Sequence, residues 1–200
     1  MATHAFDSAH VSALDPAPCA PATGAPARFV AWHAARRFHV RRVPPRLRRW
    51  LLAEGSLTAH VRARCTAGFV LRVLRERRVR PRPDEARALG VPADRLVLLR
   101  EVALCDGDRP LVIGRTLIPL RTLRGSGARF AALGRRPLGA VLFHHRAARR
   151  GPLAIACVDP RQAGVLAPPC TPGRLWARRA VFRVGGAPLL VTEFFLPGLF

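Results

Sequence analysis

Apolar and polar side chains alternate at the end of the chain in the way that β-strands require. Between residues 188 and 197, Glu193 shares one face with aliphatic and aromatic side chains, and the opposite face is also mostly apolar. A second strand pattern begins in the stretch 174–179, and Gly185 and Gly186 then supply the positive φ angles of a two-residue hairpin turn. The pattern predicts a terminal hairpin whose last strand is covered on both faces.

The same periodicity predicts six strands, most of them joined as hairpins. They lie near 69–79, 96–105, 111–119, 153–158, 174–179 and 188–197. Helical patterns occur near 47–54, 56–64, 83–85, 129–133 and in a turn ending at 143. Pro44-Pro45 opens the first helix, and Ser56 is the expected N-cap of the second. Hairpin-linked strands without alternating helices indicate an α+β fold with one antiparallel sheet.

The chain divides into an N-terminal extension, 1–43, and a single domain, 44–200. The stretch 1–27 is rich in alanine, proline, threonine and serine, and we expect it to be a mobile extension. The stretch 28–43 mixes aromatic residues with arginines. It is either an arm for a membrane surface or nucleic acid, or a segment that packs its aromatic side chains on the domain; we favour the second.

Composition adds a strong positive charge. The formal net charge is +22, and all 34 basic residues are arginine. This charge favours anionic partners, either nucleic acid or acidic metabolites. No nucleic-acid-binding motif accompanies it, so we expect no nucleic acid partner.

Five cysteines, an odd number without a Cys-x-x-Cys pair, argue against a disulfide framework and against a zinc site. No apolar run is long enough to cross a membrane, and the N-terminus lacks the pattern of a secretory signal. We therefore expect a cytoplasmic protein without stable membrane insertion.

Glu193 and four arginines are the charged residues that the strand pattern places among apolar neighbours. The arginines are Arg100, Arg115, Arg178 and Arg179. A carboxylate or guanidinium in such a position needs a partner of opposite charge. Because the predicted strands contain fewer glutamates than these arginines, we expect at least one arginine to meet an external anion. An anionic small-molecule pocket is the functional prediction; a set of internal ion pairs is the structural alternative.

Three other features have simpler explanations. Adjacent His144 and His145 lack a third ligand at a suitable spacing, so we expect no metal site there. The predicted N-cap role accounts for Ser56, which has no evident His/Asp partner for nucleophilic catalysis. Gly125-x-Gly127 lacks the length and the preceding strand of a phosphate-binding loop.

Six motifs in order give the chain a family resemblance. It is similar to chorismate lyases over roughly residues 44–197, and the motifs are Trp50-Leu-Leu-x-Glu54-Gly-Ser-Leu-Thr58, Leu99-Arg-Glu-Val, Gly114-Arg-Thr-x-x-Pro119, Arg136-Pro-Leu-Gly-x-x-Leu-Phe143, Trp176-Ala-Arg-Arg179 and Leu189-Leu-Val-Thr-Glu-x-Phe-Leu-Pro197. The resemblance implies conversion of chorismate to 4-hydroxybenzoate and pyruvate for ubiquinone synthesis. It also implies a compact six-stranded domain that binds its ligand between sheet and helices, with no metal or organic cofactor. We expect a monomer.

The resemblance carries four ligand contacts onto this chain: Leu57, Arg100, Leu138 and Glu193. The two leucines would act mainly through backbone groups. Arg100 would grip one substrate carboxylate and take part in catalysis with Glu193. An apolar setting should raise the pKa of Glu193, which would donate a proton to the departing enolpyruvyl group or hydrogen-bond the ring hydroxyl. A hydrogen transfer within the substrate, needing no protein acid, is the alternative.

Arg115 and Arg179 are the expected supporting residues, either for Glu193 or for the second carboxylate. One departure from the family pattern is Ala180, where a serine is common. Ligand-sensing domains of some transcription regulators resemble this fold, so a non-catalytic small-molecule-sensing domain is the rival function. The stretch 1–43 is too short and too rich in proline to supply the DNA-binding helices that normally accompany such domains.

Overall fold

A computed structural model describes residues 30–37, 43–143, 148–169, 171 and 173–200. Its strands are β1 (His33–Ala34), β2 (Phe69–Val79), β3 (Val97–Asp106), β4 (Arg109–Pro119), β5 (Ala148–Arg150), β6 (Ala154–Val158), β7 (Leu175–Val184) and β8 (Ala187–Phe195). Its α-helices are α1 (Pro45–Leu51), α2 (Leu57–Arg64), α3 (Pro83–Leu89) and α4 (Leu138–Phe143). Short 3-10 helices occur at Ala35–Arg37, Gly125–Ala132 and Pro197–Leu199.

All eight strands form one antiparallel sheet. Its order is β1-β6-β7-β8-β4-β3-β2, and β5 pairs with β7 beside this path. The predicted α+β class with an antiparallel sheet is confirmed, but the predicted number of six strands is wrong. The two additional strands, β1 and β5, contain two and three residues. Segments this short are set by their pairing partners, because they contain too few residues to show an alternating pattern.

The terminal hairpin follows the prediction. β7 pairs with β8 from Trp176 opposite Phe195 to Val184 opposite Ala187. Gly185 and Gly186 have φ angles of 56° and 83°, which side chains with a Cβ rarely adopt. Because β8 lies between β7 and β4, it is an interior strand of the sheet.

One face of the sheet is covered at its two ends by different helices. At one end, Leu47 and Leu51 of α1 and Val61 of α2 pack in a buried cluster with side chains of β2, β3 and β4. At the other end, Phe130 of the central 3-10 helix and Leu142 of α4 pack on β7 and β8. The helices leave a space between these clusters above the middle of the sheet.

The opposite face is covered by α3, by the segment after β6 and by the segment around Trp32. Leu89 of α3 packs on β3, β4 and β8. Val165, in the loop after β6, packs on the neighbouring part of the same face, and Val30 and Trp32 contact that cluster. Residues 30–37 thus include side chains that pack on the domain.

Local details agree with several sequence predictions. α1 begins at Pro45, one residue after Pro44, and α2 begins directly after Ser56. The Ser56 hydroxyl accepts a hydrogen bond of 3.3 Å from the Ala59 N–H, as an N-cap does. The predicted stretches 1–27 and His144-His145 lie outside the described residues.

Two further observations concern cysteine and hydropathy. Cys157 is disulfide-bonded, whereas Cys65 and Cys105 are free. The odd number of cysteines argues against a disulfide framework, and the bond at Cys157 departs from that expectation. Within the part of the chain that the structure describes, no helix combines the length and apolar character needed to cross a membrane.

Candidate functional site

A cavity of about 70 Å³ lies in the space that the helices leave above the sheet. Most of its wall is apolar, and the wall comes from six strands, from α2 and α4, and from the residues before α2, α4 and β6. The apolar lining includes Leu71, Val102, Leu104, Val112, Leu142, Leu153, Phe182 and Val191.

Glu193 and Arg178 form an ion pair in the cavity wall. They are directly opposite each other on β8 and β7. The Arg178 Nε donates to Glu193 Oε2 at 2.5 Å, and the two side chains are 3% and 22% exposed. The carboxylate that the sequence placed among apolar neighbours therefore has a charged hydrogen-bond partner.

Arg178 also fixes the end of α1 against the sheet. Its Nη1 donates to the carbonyl oxygens of Trp50 and Ala53, at 2.9 and 2.8 Å, and more weakly to that of Leu51. These carbonyls lie at and beyond the C-terminus of α1, where intrahelical partners are missing. Because Arg178 holds both Glu193 and this helix end, it fixes the position of the carboxylate relative to the cavity.

Leu57 and Leu138 both line the cavity, and each is the first residue of a helix. The first N–H groups of a helix have no intrahelical acceptor. Both helix starts can therefore present backbone donors to a ligand. Leu57, Leu138 and Glu193, three of the four expected contacts, meet in this cavity.

Arg100, the fourth expected contact, does not line the cavity. It lies opposite Thr116, which does line it, but its guanidinium points towards the edge strand β2. Its Nη1 donates to Glu76 Oε2 at 2.7 Å and its Nη2 to the Gly134 carbonyl at 2.7 Å. Arg100 is thus paired at the border of the cavity and is 2% exposed.

Arg115 and Arg179 lie on the opposite face of the sheet. Arg115 donates to Glu85 at 2.8 Å and to Glu101 at 2.7 Å, and Arg179 donates to Asp84 at 2.7 Å. Burial lowers the pKa of Arg179, and the charge of Asp84 opposes this shift. The expectation that either arginine supports Glu193 by direct contact is not met; Arg178 does so instead.

Each of the four strand arginines singled out by the sequence has a carboxylate within 2.8 Å. The expectation that one of these four meets an external anion assumed that one of them lacks a carboxylate partner, and none of them does. Among the charged side chains of the described cavity lining, the one without a hydrogen-bond or ion-pair partner is Arg150 on β5. Periodicity did not mark it, because β5 is only three residues long.

Three small residues in the lining were also not predicted as contacts. Thr58 follows Leu57 in α2, and Thr116 lies on β4. Ala180, where the family commonly has serine, is the third. A serine hydroxyl at position 180 would therefore face the cavity, and this chain has a methyl group there. Alternation along β7 was enough to place Ala180 on the same face as Arg178.

Among solved structures, the chain is similar to the ligand-binding domain of a putative GntR-family transcriptional regulator from Bordetella bronchiseptica. The sequence identity is 22% and the TM-score 0.45, and the match covers 66% of this chain and 86% of that chain.

Sequence relatives are much closer. The chain is 46% identical over 162 residues to a probable chorismate pyruvate-lyase from Aromatoleum aromaticum, with 78% of this chain and 87% of that protein covered. It is 42% identical over 152 residues to a probable chorismate pyruvate-lyase from Methylococcus capsulatus, with 75% and 94% covered. The chorismate lyase family profile matches residues 27–200. The chain belongs to the chorismate lyase family.

Proposed function

We propose that this protein is a chorismate pyruvate-lyase, which cleaves chorismate to 4-hydroxybenzoate and pyruvate and so serves ubiquinone biosynthesis. The observation that carries the proposal is the Glu193–Arg178 pair in the wall of an otherwise mostly apolar cavity, in a chain of this family. An apolar wall suits the ring of the substrate. The positive charge of Arg150 in the lining and the two helix starts at Leu57 and Leu138 suit its carboxylates.

Arg100 enters the proposal as the residue that binds the ring carboxylate. It lies on the cavity face of β3, beside Thr116, and is held by Glu76, whose side chain is 34% exposed. A substrate carboxylate can replace Glu76 on the guanidinium, because Glu76 is then free to be solvated. The exchange keeps a charge-assisted hydrogen bond on Arg100 throughout.

Glu193 is the only carboxylate in the described lining, so we assign the proton transfer to it. As a carboxylate paired with Arg178, it removes the hydrogen from the hydroxyl-bearing ring carbon as a proton. The electrons of that C–H bond complete the aromatic ring. The neighbouring C–O bond breaks, and its electrons leave on the enolpyruvyl oxygen.

The protonated Glu193 then returns the proton to the methylene carbon of the enolate, which gives pyruvate. Aromatisation supplies the driving force, and the protein supplies orientation and one proton acceptor. The competing route passes the same hydrogen directly from the ring carbon to the methylene group within the substrate. Glu193 would then only position the ring hydroxyl.

The proposal extends to a monomeric, cytoplasmic enzyme that uses no metal or organic cofactor and binds no nucleic acid. No group of three His, Cys, Asp or Glu side chains placed to hold a metal occurs among the described residues. Gel filtration of the purified protein tests the monomer, and nuclease treatment before purification tests for bound nucleic acid.

The experiment that tests the activity is incubation of the purified protein with chorismate, followed by separation of the products. We expect 4-hydroxybenzoate and pyruvate to form at a rate that is proportional to the concentration of the protein. Tight binding of 4-hydroxybenzoate without any turnover of chorismate would instead support the small-molecule-sensing function.

A further inference from the structure

Three charged side chains line the cavity within the described residues: Arg150, Arg178 and Glu193. Arg178 and Glu193 neutralise each other at 2.5 Å. One positive charge, that of Arg150, is left over. The described lining therefore carries a net charge of +1, which an anionic ligand would balance.

Arg150 differs from the four arginines that the strand pattern placed among apolar neighbours, because it has no carboxylate partner. It makes no hydrogen bond or ion pair with any described residue, whereas Arg100, Arg115, Arg178 and Arg179 each hold a carboxylate. The side chain is half-buried. Leaving a desolvated charged donor without an acceptor is unfavourable, so the position favours a ligand that supplies one.

The electrostatic surroundings agree with this reading. Burial lowers the pKa of Arg150, and the positive charge of Arg178 lowers it further. Glu193 and Glu54 oppose the shift through their negative charges. Arg150 is therefore within electrostatic reach of the Glu193–Arg178 pair, and the negative charge of a bound anion would oppose the effects of burial and of Arg178.

The strand order places Arg150 and Arg100 on opposite sides of the cavity. Arg150 lies opposite Phe182 of β7, and the adjacent Gly151 N–H donates to the Val181 carbonyl at 2.8 Å. Arg100 lies on β3, which is separated from β7 by β4 and β8. In strand order, the strand of Glu193, β8, therefore lies between those of the two arginines, which are level with Val191 and Leu189 of β8.

Chorismate has one carboxylate on the ring and one on the enolpyruvyl group. The ring carboxylate lies across the ring from the hydroxyl-bearing carbon on which Glu193 acts. If Arg100 holds the ring carboxylate, the enolpyruvyl group lies on the side of Glu193 that faces β7 and β5. We propose that Arg150 binds the enolpyruvyl carboxylate, the one that leaves with pyruvate; this inference rests on the proposed function.

Arg150→Gln tests the inference, because it removes the charge and keeps a side chain of similar reach. Losing a hydrogen bond to a charged group should lower kcat/KM for chorismate by about 10- to 100-fold, mainly through KM. The Kd of 4-hydroxybenzoate, which lacks the enolpyruvyl group, should change by less than about twofold, a limit set below the tenfold expected from one charged contact. Arg150→Lys should restore part of the loss.

Arg149→Gln is the matched control. Arg149 is the neighbouring residue on β5, is exposed and does not line the cavity. We expect its variant to leave both constants unchanged. Melting curves of all three variants establish that each is folded.

Two results would overturn the inference. Unchanged kcat/KM in Arg150→Gln would show that the arginine does not bind substrate. An equal loss of affinity for chorismate and 4-hydroxybenzoate would assign it to the ring carboxylate or to the cavity shape. Should the wild-type protein bind chorismate without turnover, the proposed function fails, and equilibrium Kd values for the same two ligands still decide the role of Arg150.

Discussion

Glu193→Gln separates a catalytic carboxylate from a structural one. Glutamine keeps the shape of the side chain and an oxygen that can accept from Arg178 Nε, but it has neither the charge nor a basic oxygen. If Glu193 moves the proton, turnover of chorismate should fall by about 10²- to 10⁴-fold, as is typical for the loss of a general acid or base. The Kd of 4-hydroxybenzoate should change far less.

The stability cost follows from the contacts of Arg178. A buried arginine left without its partner typically costs about 3–5 kcal/mol. Here Arg178 keeps three carbonyl acceptors, and Glu193 is 22% exposed to the cavity. We therefore expect the lower cost of one charged hydrogen bond, about 1.5–3 kcal/mol. For a chain of this size that is a decrease in Tm of roughly 3–12 °C.

Glu101→Gln is the control for stability. Glu101 is fully buried on the opposite face and pairs with Arg115 at 2.7 Å and Arg75 at 2.8 Å. Its substitution should lower Tm at least as much and leave the turnover of the folded protein nearly unchanged. Both variants are assayed well below their Tm. If Glu193→Gln is folded and turns over chorismate within about threefold of wild type, far above the 10²-fold loss expected, Glu193 has no part in proton transfer.

Three further predictions concern other parts of the chain. Arg100→Ala should weaken binding of 4-hydroxybenzoate by about 10-fold or more, and unchanged affinity in a folded variant would remove Arg100 from the site. A truncation that begins at Ala27 should keep fold and activity in melting and turnover assays, since it retains Trp32, whose Nε1 donates to Asp84 at 3.1 Å; a large loss of either would show that the removed residues pack on the domain. Burial raises the pKa of Cys105 from its usual 9.0 to about 11, so the unfolded state loses this proton first and stability should decline as pH rises over that interval. Cys105→Ala should remove that part of the decline in denaturation measured against pH.

The sequence predicted what depends on regular alternation. The faces of β3, β4, β7 and β8 follow from period two, and so does the position of Glu193 on a covered interior strand. The turn at Gly185-Gly186 and the cap at Ser56 follow from local backbone preferences. These features require only neighbours along the chain.

The pairing of charges could not be predicted in the same way. Arg178 and Arg179 are adjacent in sequence but lie on opposite faces, and which of them meets Glu193 depends on the register between β7 and β8. Glu76 faces Arg100 because of the register between β2 and β3, which includes a bulge after Val73. Register joins residues far apart in the chain, so alternation alone does not give it.

Arg150 shows most clearly what the sequence pattern could not predict. Its strand is three residues long and is fixed by contact with β7. Counting arginines predicted an unpaired charge among Arg100, Arg115, Arg178 and Arg179, and all four are paired; the unpaired charge in the described lining is on a segment that carries no strand pattern. The site residue with the least sequence signal is thus the one whose charge the cavity leaves unbalanced.

The most direct test of the central proposal is to incubate the purified, EDTA-treated protein with chorismate and measure 4-hydroxybenzoate and pyruvate together. The proposed reaction predicts that both products form in equal amounts, at a rate proportional to protein concentration and unaffected by EDTA. Recovery of unchanged chorismate from a folded protein that still binds 4-hydroxybenzoate would contradict the assignment as a lyase. Activity that EDTA abolishes and an added metal restores would contradict the cofactor-free mechanism.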